Sequence, residues 1–271
     1  MIHTIGMIGA GNMGSAILRG IVEAEYVRAS QIIAYDTNRK RMRELEEDLP
    51  GVITAADCTE VAERSDLIIL AVKPMFVQDV IDQMRHSLQG KAILSIAAGW
   101  TVNMLEKALS NTGATYMRVM PNTPALVGEG MTALCDESTF TKEDYDFVKG
   151  IFDSIGKTRI LPERLFDGVV ALSGSSPAYV YILIEAMADA AVREGIPRVH
   201  AYEMAAQSVL GSALMVLSTG THPAALKDAV CSPGGTTIEA VEELERKGFR
   251  AAVMDAMKAC ADRSREMSSK K

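Results

Sequence analysis

The first part of the chain alternates short apolar runs with segments whose apolar residues recur at helical spacing. Residues 2–8, 31–35, 67–72, 92–96 and 115–119 read as strands, and 156–161 as one more. The run at 67–72, LIILAV, is apolar throughout, the pattern of a parallel strand covered on both faces. Residues 15–25 and 39–49 read as helices between strands. Such alternation predicts βαβ units and an α/β domain with a doubly wound parallel sheet over residues 1–162.

After Pro162 the character changes, and no further strand is predicted. Residues 166–172, 178–194, 199–217, 223–229, 238–246 and 249–266 read as helices, punctuated by Gly-Ser-Ser-Pro, Gly-Ile-Pro, Gly-Thr-His-Pro and Pro-Gly-Gly. They predict an all-α second domain over residues 163–271. The stretch 178–191, AYVYILIEAMADAA, is apolar on nearly every face and must be buried all round. A helical domain of this size does not cover it alone, so a homodimer interface is expected there; the other reading is a central core helix within one subunit. Residues 263–271 are polar and basic and are expected to fray.

Composition narrows the class. With 48% apolar and 23% charged residues the 271-residue chain reads as globular, neither disordered nor collagen-like. A formal charge of −7 disfavours nucleic acid as a partner. The four cysteines form no C-x-x-C pair, which leaves reduced cytosolic thiols as the reading. No uninterrupted apolar run of about 18 residues occurs, so no membrane span is expected. No secretory signal is seen either, and the expected compartment is the cytoplasm. His200 and Glu203, three apart on a helix, read as a surface pair, and no metal is expected.

Candidate chemistry begins at Gly9, Gly11 and Gly14, a G-x-G-x-x-G between a strand and a helix. Gly9 suits the tight turn, Gly11 the approach of a pyrophosphate and Gly14 close helix–strand packing. The N-terminus of the following helix, at Asn12 and Met13, offers N–H groups to the phosphates. The expected cofactor is therefore NAD or NADP. Asp36 stands where an acid bonds ribose hydroxyls and repels a 2′-phosphate, which argues for NAD. Asn38, Arg39 and Lys40 follow at once and argue for NADP, so the preference stays open. Ala71-Val72-Lys73-Pro74 and Pro121-Asn122 lie at strand ends, where open α/β sheets bind ligands. Lys73 reads as a phosphate contact or an exposed residue before a helix, and Asn122 as a nicotinamide contact or a turn cap.

Two later segments suggest the substrate. Ser173-Gly-Ser175-Ser176-Pro177 reads as a capped helix start, with Ser176 as N-cap and the Ser175 hydroxyl facing a cleft. In Ser232-Pro-Gly234-Gly235-Thr236-Thr237-Ile-Glu239, Thr236 and Glu239 fit a capping box. The same residues expose N–H groups and hydroxyls that fit a small carboxylate.

The loop at 9–14, AVKP at 71–74, MPNTPA at 120–125, SGSSPAY at 173–179 and DAVCSPGGTTIEA at 228–240 resemble pyrroline-5-carboxylate reductases over essentially the whole chain. The resemblance implies a Rossmann-like domain followed by a helical dimerisation domain, and dimers that often build rings. It implies NAD(P)H-dependent reduction of 1-pyrroline-5-carboxylate to L-proline. Ser232, Gly234, Gly235, Thr236 and Thr237 would bind substrate, with Thr237 near the ring nitrogen. Ser176 departs from the family's usual glycine and is expected to narrow the cleft. Two rivals stay open: another imine reductase or 3-hydroxy acid dehydrogenase, and a dinucleotide-binding regulatory protein. The dehydrogenase would need a basic Lys on the helix after Pro177, which has none.

Overall fold

In the computed structural model, which describes residues 2–269, contacts divide the chain into two compact units. One runs to Ser175 and takes back the chain from Cys260; the other spans Ser176–Ala259. The first unit is built from β1 (Ile5–Ile8), α1 (Asn12–Glu23), β2 (Ile32–Tyr35), α2 (Arg39–Asp48), β3 (Ile53–Thr54), α3 (Cys58–Arg64), β4 (Leu67–Leu70), α4 (Val77–Met84), β5 (Ala92–Ser95), α5 (Val102–Ala108), β6 (Thr115–Met120), β7 (Gly130–Cys135), α6 (Lys142–Asp153) and β8 (Gly156–Leu161).

These strands form one eight-stranded sheet in the order β3-β2-β1-β4-β5-β6-β7-β8. Met7 of β1 pairs with Ala34 of β2 on one side and Ile69 of β4 on the other, both parallel. The chain order therefore reverses at β1, which places the ligand crevice of an open sheet at the end of β1. The all-apolar β4 is explained by its two covered faces. Leu67 and Ile69 pack with α1, α2 and α6 residues such as Ile17, Leu45 and Phe152. Ile68 and Leu70 pack on the opposite face with Val61, Ile81 and Trp100. The sheet differs from a wholly parallel one in its last two strands: β7 runs antiparallel to β6, with Val119 opposite Leu134, and β8 runs parallel to β7. β7 is absent from the sequence reading because GMTALC offers neither a full apolar run nor clean alternation. β3 is absent because it is two residues long.

Beyond β8, α7 (Phe166–Val169) does not stop at Gly174. It passes through a π-turn at Val170–Gly174 into α8 (Ser176–Arg193). In that turn the Ser175 N–H donates to Val170 O at 2.8 Å. Ser176 is therefore no N-cap, contrary to the sequence expectation, since the helix is already running when it arrives. Pro177 has no N–H for the Ser173 carbonyl, and the Asn122 side-chain amide donates to that carbonyl at 3.0 Å instead. Arg118, 3% exposed as a side chain, pairs with Glu163 at 2.8 Å, and its guanidinium lies 4.7 Å over the Phe166 ring. Glu163 also accepts from the Val102 N–H at 2.6 Å, which ties the start of this helix to α5.

The second unit consists of most of α8 with α9 (Arg198–Thr219), α10 (Pro223–Val230), α11 (Thr236–Arg246) and the first half of α12 (Phe249–Ser269). α8 and α9 form a hairpin closed by Gly195, φ +95°. There the Ile196 N–H reaches back to Ala191 O at 3.0 Å, a left-handed helix stop that glycine makes without strain. Only Ala188 of α8 is buried, so α8 is not the core helix of one subunit. Joined through the π-turn, Glu163–Arg193 is long and apolar enough to cross a membrane by length and composition alone. The sequence count of uninterrupted apolar residues misses this, because Glu185 and Asp189 interrupt the run without removing its average character. The expected frayed tail is also corrected. α12 is helical to Ser269, because Ala261 and Ser264 are buried and the Ser264 hydroxyl donates to Asp167. Lys270 and Lys271 of that expectation lie outside the described residues.

Candidate active site

The three glycines of the loop after β1 do three different jobs. At Gly9, φ is +103° and an added Cβ would lie 2.6 Å from Ala71 O, so both the turn and the neighbouring strand demand glycine. At Gly14 a Cβ would lie 2.0 Å from Gly9 O, so α1 packs on the loop only with hydrogen there. At Gly11 the nearest atom to such a Cβ is Arg41 Nη1, 3.8 Å away. Nothing in the fold requires glycine at Gly11; its missing side chain leaves open space above the backbone. No side chain caps α1, whose N-cap is Gly11. An open backbone at an uncapped helix start is what a dinucleotide pyrophosphate requires, so the residues present fit that cofactor.

Cavities of the sheet unit lie at this loop and at the neighbouring end of β2. One of about 360 Å³ is lined by Gly9, Asp36 and Val72 together with Tyr35, Phe76 and Gln83. A second, about 430 Å³, holds Asp36 with Arg39 and Arg43 on α2. A third, about 330 Å³, brings together Met13, Ala71, Val72, Lys73, Pro74, Pro121 and Ser175. That third group comes from four sequence motifs far apart in the chain. The same cavity is closed by Ile96, Ala97 and Ala98 at the end of β5 and by Val170 and Gly174 of the π-turn, residues the sequence reading passed over. The end of β5 carried a usable signal, since it too is the carboxyl end of a parallel strand. The π-turn carried none, because Gly-Ser-Ser-Pro reads as a helix boundary.

Local bonding fixes this wall. Trp100 Nε1 donates to Pro74 O at 2.7 Å. Asn122 is 7% exposed, and its Oδ1 accepts from the Met131 N–H at 2.8 Å. Both ends of its amide are thus spent on backbone. The Cys260 thiol donates to Ser175 Oγ at 3.3 Å. Lys73 is exposed at the cavity mouth. At the end of β2, Asp36 accepts from the Ala10 N–H at 2.8 Å and from the Asn38 N–H at 2.7 Å. Asn38 caps α2, its Oδ1 accepting from the Lys40 and Arg41 N–H groups. Lys40 turns to Glu44, 3.4 Å away, so the predicted Arg39–Lys40 pair is split between different surroundings.

The Ser232–Thr237 segment lies in the second unit. Gly234 has φ +67°, and the Gly235 N–H donates to Ser232 O at 3.0 Å, closing a tight turn. A Cβ on Gly235 would meet Ser232 Oγ at 2.3 Å, so the serine hydroxyl itself occupies that space. The turn makes Gly235 the N-cap of α11 and Thr236 its first residue, with no side-chain capping bond. The expected Thr236–Glu239 capping box is therefore not formed. Among the described residues, the hydroxyls of Ser232, Thr236 and Thr237 have no recorded protein partner. The segment presents three hydroxyls beside uncapped helix N–H groups.

The family described as pyrroline-5-carboxylate reductase dimerisation matches residues 163–267. The family described as NADP oxidoreductase coenzyme F420-dependent matches residues 4–99. A pyrroline-5-carboxylate reductase of Escherichia coli (strain K12) is 48% identical over 265 residues, covering 97% of this chain and 98% of its own. The chain belongs to the pyrroline-5-carboxylate reductase family. A family member from Glycine max is 42% identical over 268 residues, covering 98% of this chain and 96% of its own. The crystal structure of Plasmodium falciparum pyrroline carboxylate reductase with NADP bound has a TM-score of 0.90 and 32% identity, covering 98% of both chains. Family membership carries with it a Rossmann-like sheet domain, NAD(P) as cofactor and a helical dimerisation domain.

Proposed function

We propose that this chain reduces 1-pyrroline-5-carboxylate to L-proline with NADPH or NADH. The observation that carries this reading is the uncapped start of α11. The turn at Ser232–Gly235 removes the capping box and leaves hydroxyls and helix N–H groups uncommitted. A small carboxylate is the ligand such a helix start takes.

When bound, the reduced nicotinamide supplies the hydride. The chain's own residues bind and orient. Gly11, Asn12 and Met13 hold the pyrophosphate, and Ala71–Pro74 with Pro121 line the cofactor's cavity. The backbone N–H groups of Gly234 and Thr236 hold the substrate carboxylate, with the Ser232 and Thr236 hydroxyls beside them. Thr237 hydrogen-bonds the ring nitrogen. A protonated cyclic imine is already a good hydride acceptor, so catalysis here is mainly positioning. This is consistent with the absence of His and Lys from the Ser232–Thr237 segment. The helix α8 likewise contains no Lys to serve as the base of a hydroxy acid dehydrogenase.

The functional partition proposed is cofactor binding by residues 1–162, and dimerisation with substrate binding by 163–271. We assign the exposed apolar faces of α8 and α9 to a second copy of the chain and not to lipid. The support is the family match over these helices and the exposed carboxylates within α8. The homodimer is the basic assembly, and rings of dimers are the higher order that the resemblance implies. Four unpaired cysteines suit a reducing cytoplasm. The test is oxidation of NADPH and of NADH by the purified chain with 1-pyrroline-5-carboxylate. Turnover is expected with at least one. Cofactor binding without turnover would turn the assignment towards another imine or a binding protein.

A further inference from the structure

The cofactor preference left open by the sequence turns on two residues, Asp36 and Arg41, and only Asp36 was singled out by motif. Asp36 stands at the end of β2, where a free carboxylate would read ribose hydroxyls. Here each of its oxygens already accepts a backbone N–H: one from Ala10 in the glycine loop, the other from Asn38 at the start of α2. Its side chain is 10% exposed. Such a carboxylate acts as a latch that fixes the glycine loop to the β2 end, with little left to offer a sugar.

Arg41 lies on the first turn of α2, with its N–H capped by Asn38. Its Nη1 is 3.9 Å from Asp36 Oδ2 and 3.8 Å from the point where Gly11 would carry a Cβ. The guanidinium therefore stands over the open face of the loop, next to the position that decides between ribose hydroxyl and ribose phosphate. Among the described residues its guanidinium has no recorded hydrogen bond, and it is half-exposed. The neighbouring cations are placed otherwise. Lys40 pairs with Glu44, Arg19 pairs with Asp48, and Arg39 and Arg43 share the Asp36 cavity with Thr54 and Ala56, whereas Arg41 is the side chain that meets Gly11. Arg41 partly offsets the Asp36 charge and keeps a fork of donors of the shape that grips phosphate.

We infer that Arg41 selects the phosphorylated cofactor: it takes the 2′-phosphate of NADP(H), while Asp36 serves the loop as a latch and does not reject that phosphate. This rests on the reading that the glycine loop binds a dinucleotide, and it adds which residue reads the ribose. The measurement is calorimetric titration of the wild-type chain and of Arg41→Gln with NADPH, NADH and 2′,5′-ADP, with melting temperatures taken in parallel. Loss of a charge-assisted contact lowers NADPH and 2′,5′-ADP affinity by about tenfold or more. NADH affinity stays within about twofold, and the melting temperature is unchanged. Equal weakening of NADPH and NADH, or no change in either, overturns the inference while leaving the cofactor site intact. A wild-type chain that binds neither cofactor overturns the dinucleotide reading itself. Asp36→Asn provides an independent check. As a latch it weakens NADPH and NADH together and lowers the melting temperature; a loss confined to NADH would make Asp36 a ribose reader and overturn the latch.

Discussion

Around the strand crossing, Ile5, Met7, Leu67 and Ile69 are at most 1% exposed, whereas on α8 and α9 Ile182, Met204 and Leu217 stand 66%, 59% and 64% exposed. Both regions are equally rich in large apolar residues. In the sheet unit those residues meet helices of the same chain on two faces. In the helical unit they meet solvent, and alanines supply its few buried apolar side chains. An apolar helix of the second kind is finished by association, since exposed apolar patches on this scale mark interaction sites. The sheet unit thus carries its own core, whereas the helical unit, which matches the family's dimerisation region, leaves its apolar faces to a second copy. Under the proposed function the cofactor lies with the first and the substrate segment with the second.

The strongest way to break this contrast is a charge on the exposed helical face. Ile182→Asp together with Leu214→Asp is expected to cost more than about 3 kcal/mol of association free energy, as an unpaired charge in an interface does. Sedimentation equilibrium would then show monomers. Unchanged association would place the interface elsewhere. A buried apolar position such as Ile69, tested in the same way, would lose folding and not merely association.

The next effect lies within the glycine loop. Gly14→Ala forces a Cβ against Gly9 O and is expected to destabilise the sheet unit by about 2–3 kcal/mol, read as a lower melting temperature. Gly11→Ala meets only the mobile end of Arg41 and should leave stability within about 0.5 kcal/mol while weakening cofactor binding. Equal losses of stability at both positions would remove the argument that Gly11 is kept open for a ligand.

A smaller effect concerns Asp66, just before β4. Burial alone would raise its carboxyl. Hydrogen bonds from the His3 and Thr4 N–H groups and the Thr4 hydroxyl overcome this and hold it below its ordinary value of 3.8. A depressed folded value means the stabilisation is present above 3.8 and is lost as pH falls through the lower folded value. Asp66→Asn should cost about 1 kcal/mol at neutral pH and flatten the acid limb of the stability curve. An unchanged acid limb would show that the bonds from residues 3 and 4 contribute nothing.

The sheet was largely legible in the sequence because its physics is local. LIILAV can only be a strand covered on both faces, and the glycine spacing fixes the turn that follows β1. What escaped depends on residues distant in the chain. Gly-Ser-Ser-Pro reads as a stop, yet the helix continues, because the Ser173 carbonyl deprived by Pro177 is satisfied by Asn122 from another loop. Thr236 and Glu239 have the spacing of a capping box, yet the left-handed Gly234 moves the cap to Gly235. The tail from Arg263 looks solvated, yet Ser264 finds Asp167. Arg41 is one of several basic residues on α2, and nothing in the spacing says that it alone reaches Gly11.

The central claim is that the hydroxyls left free at the start of α11 act on the substrate. Thr237 tests it most directly, through kcat/KM for 1-pyrroline-5-carboxylate in Thr237→Ala and Thr237→Ser. The account predicts a loss of about fivefold or more in the alanine variant, the equivalent of roughly 1 kcal/mol, with most of the activity kept in the serine variant. An alanine variant within about twofold of the wild-type chain, with unchanged stability, would contradict it.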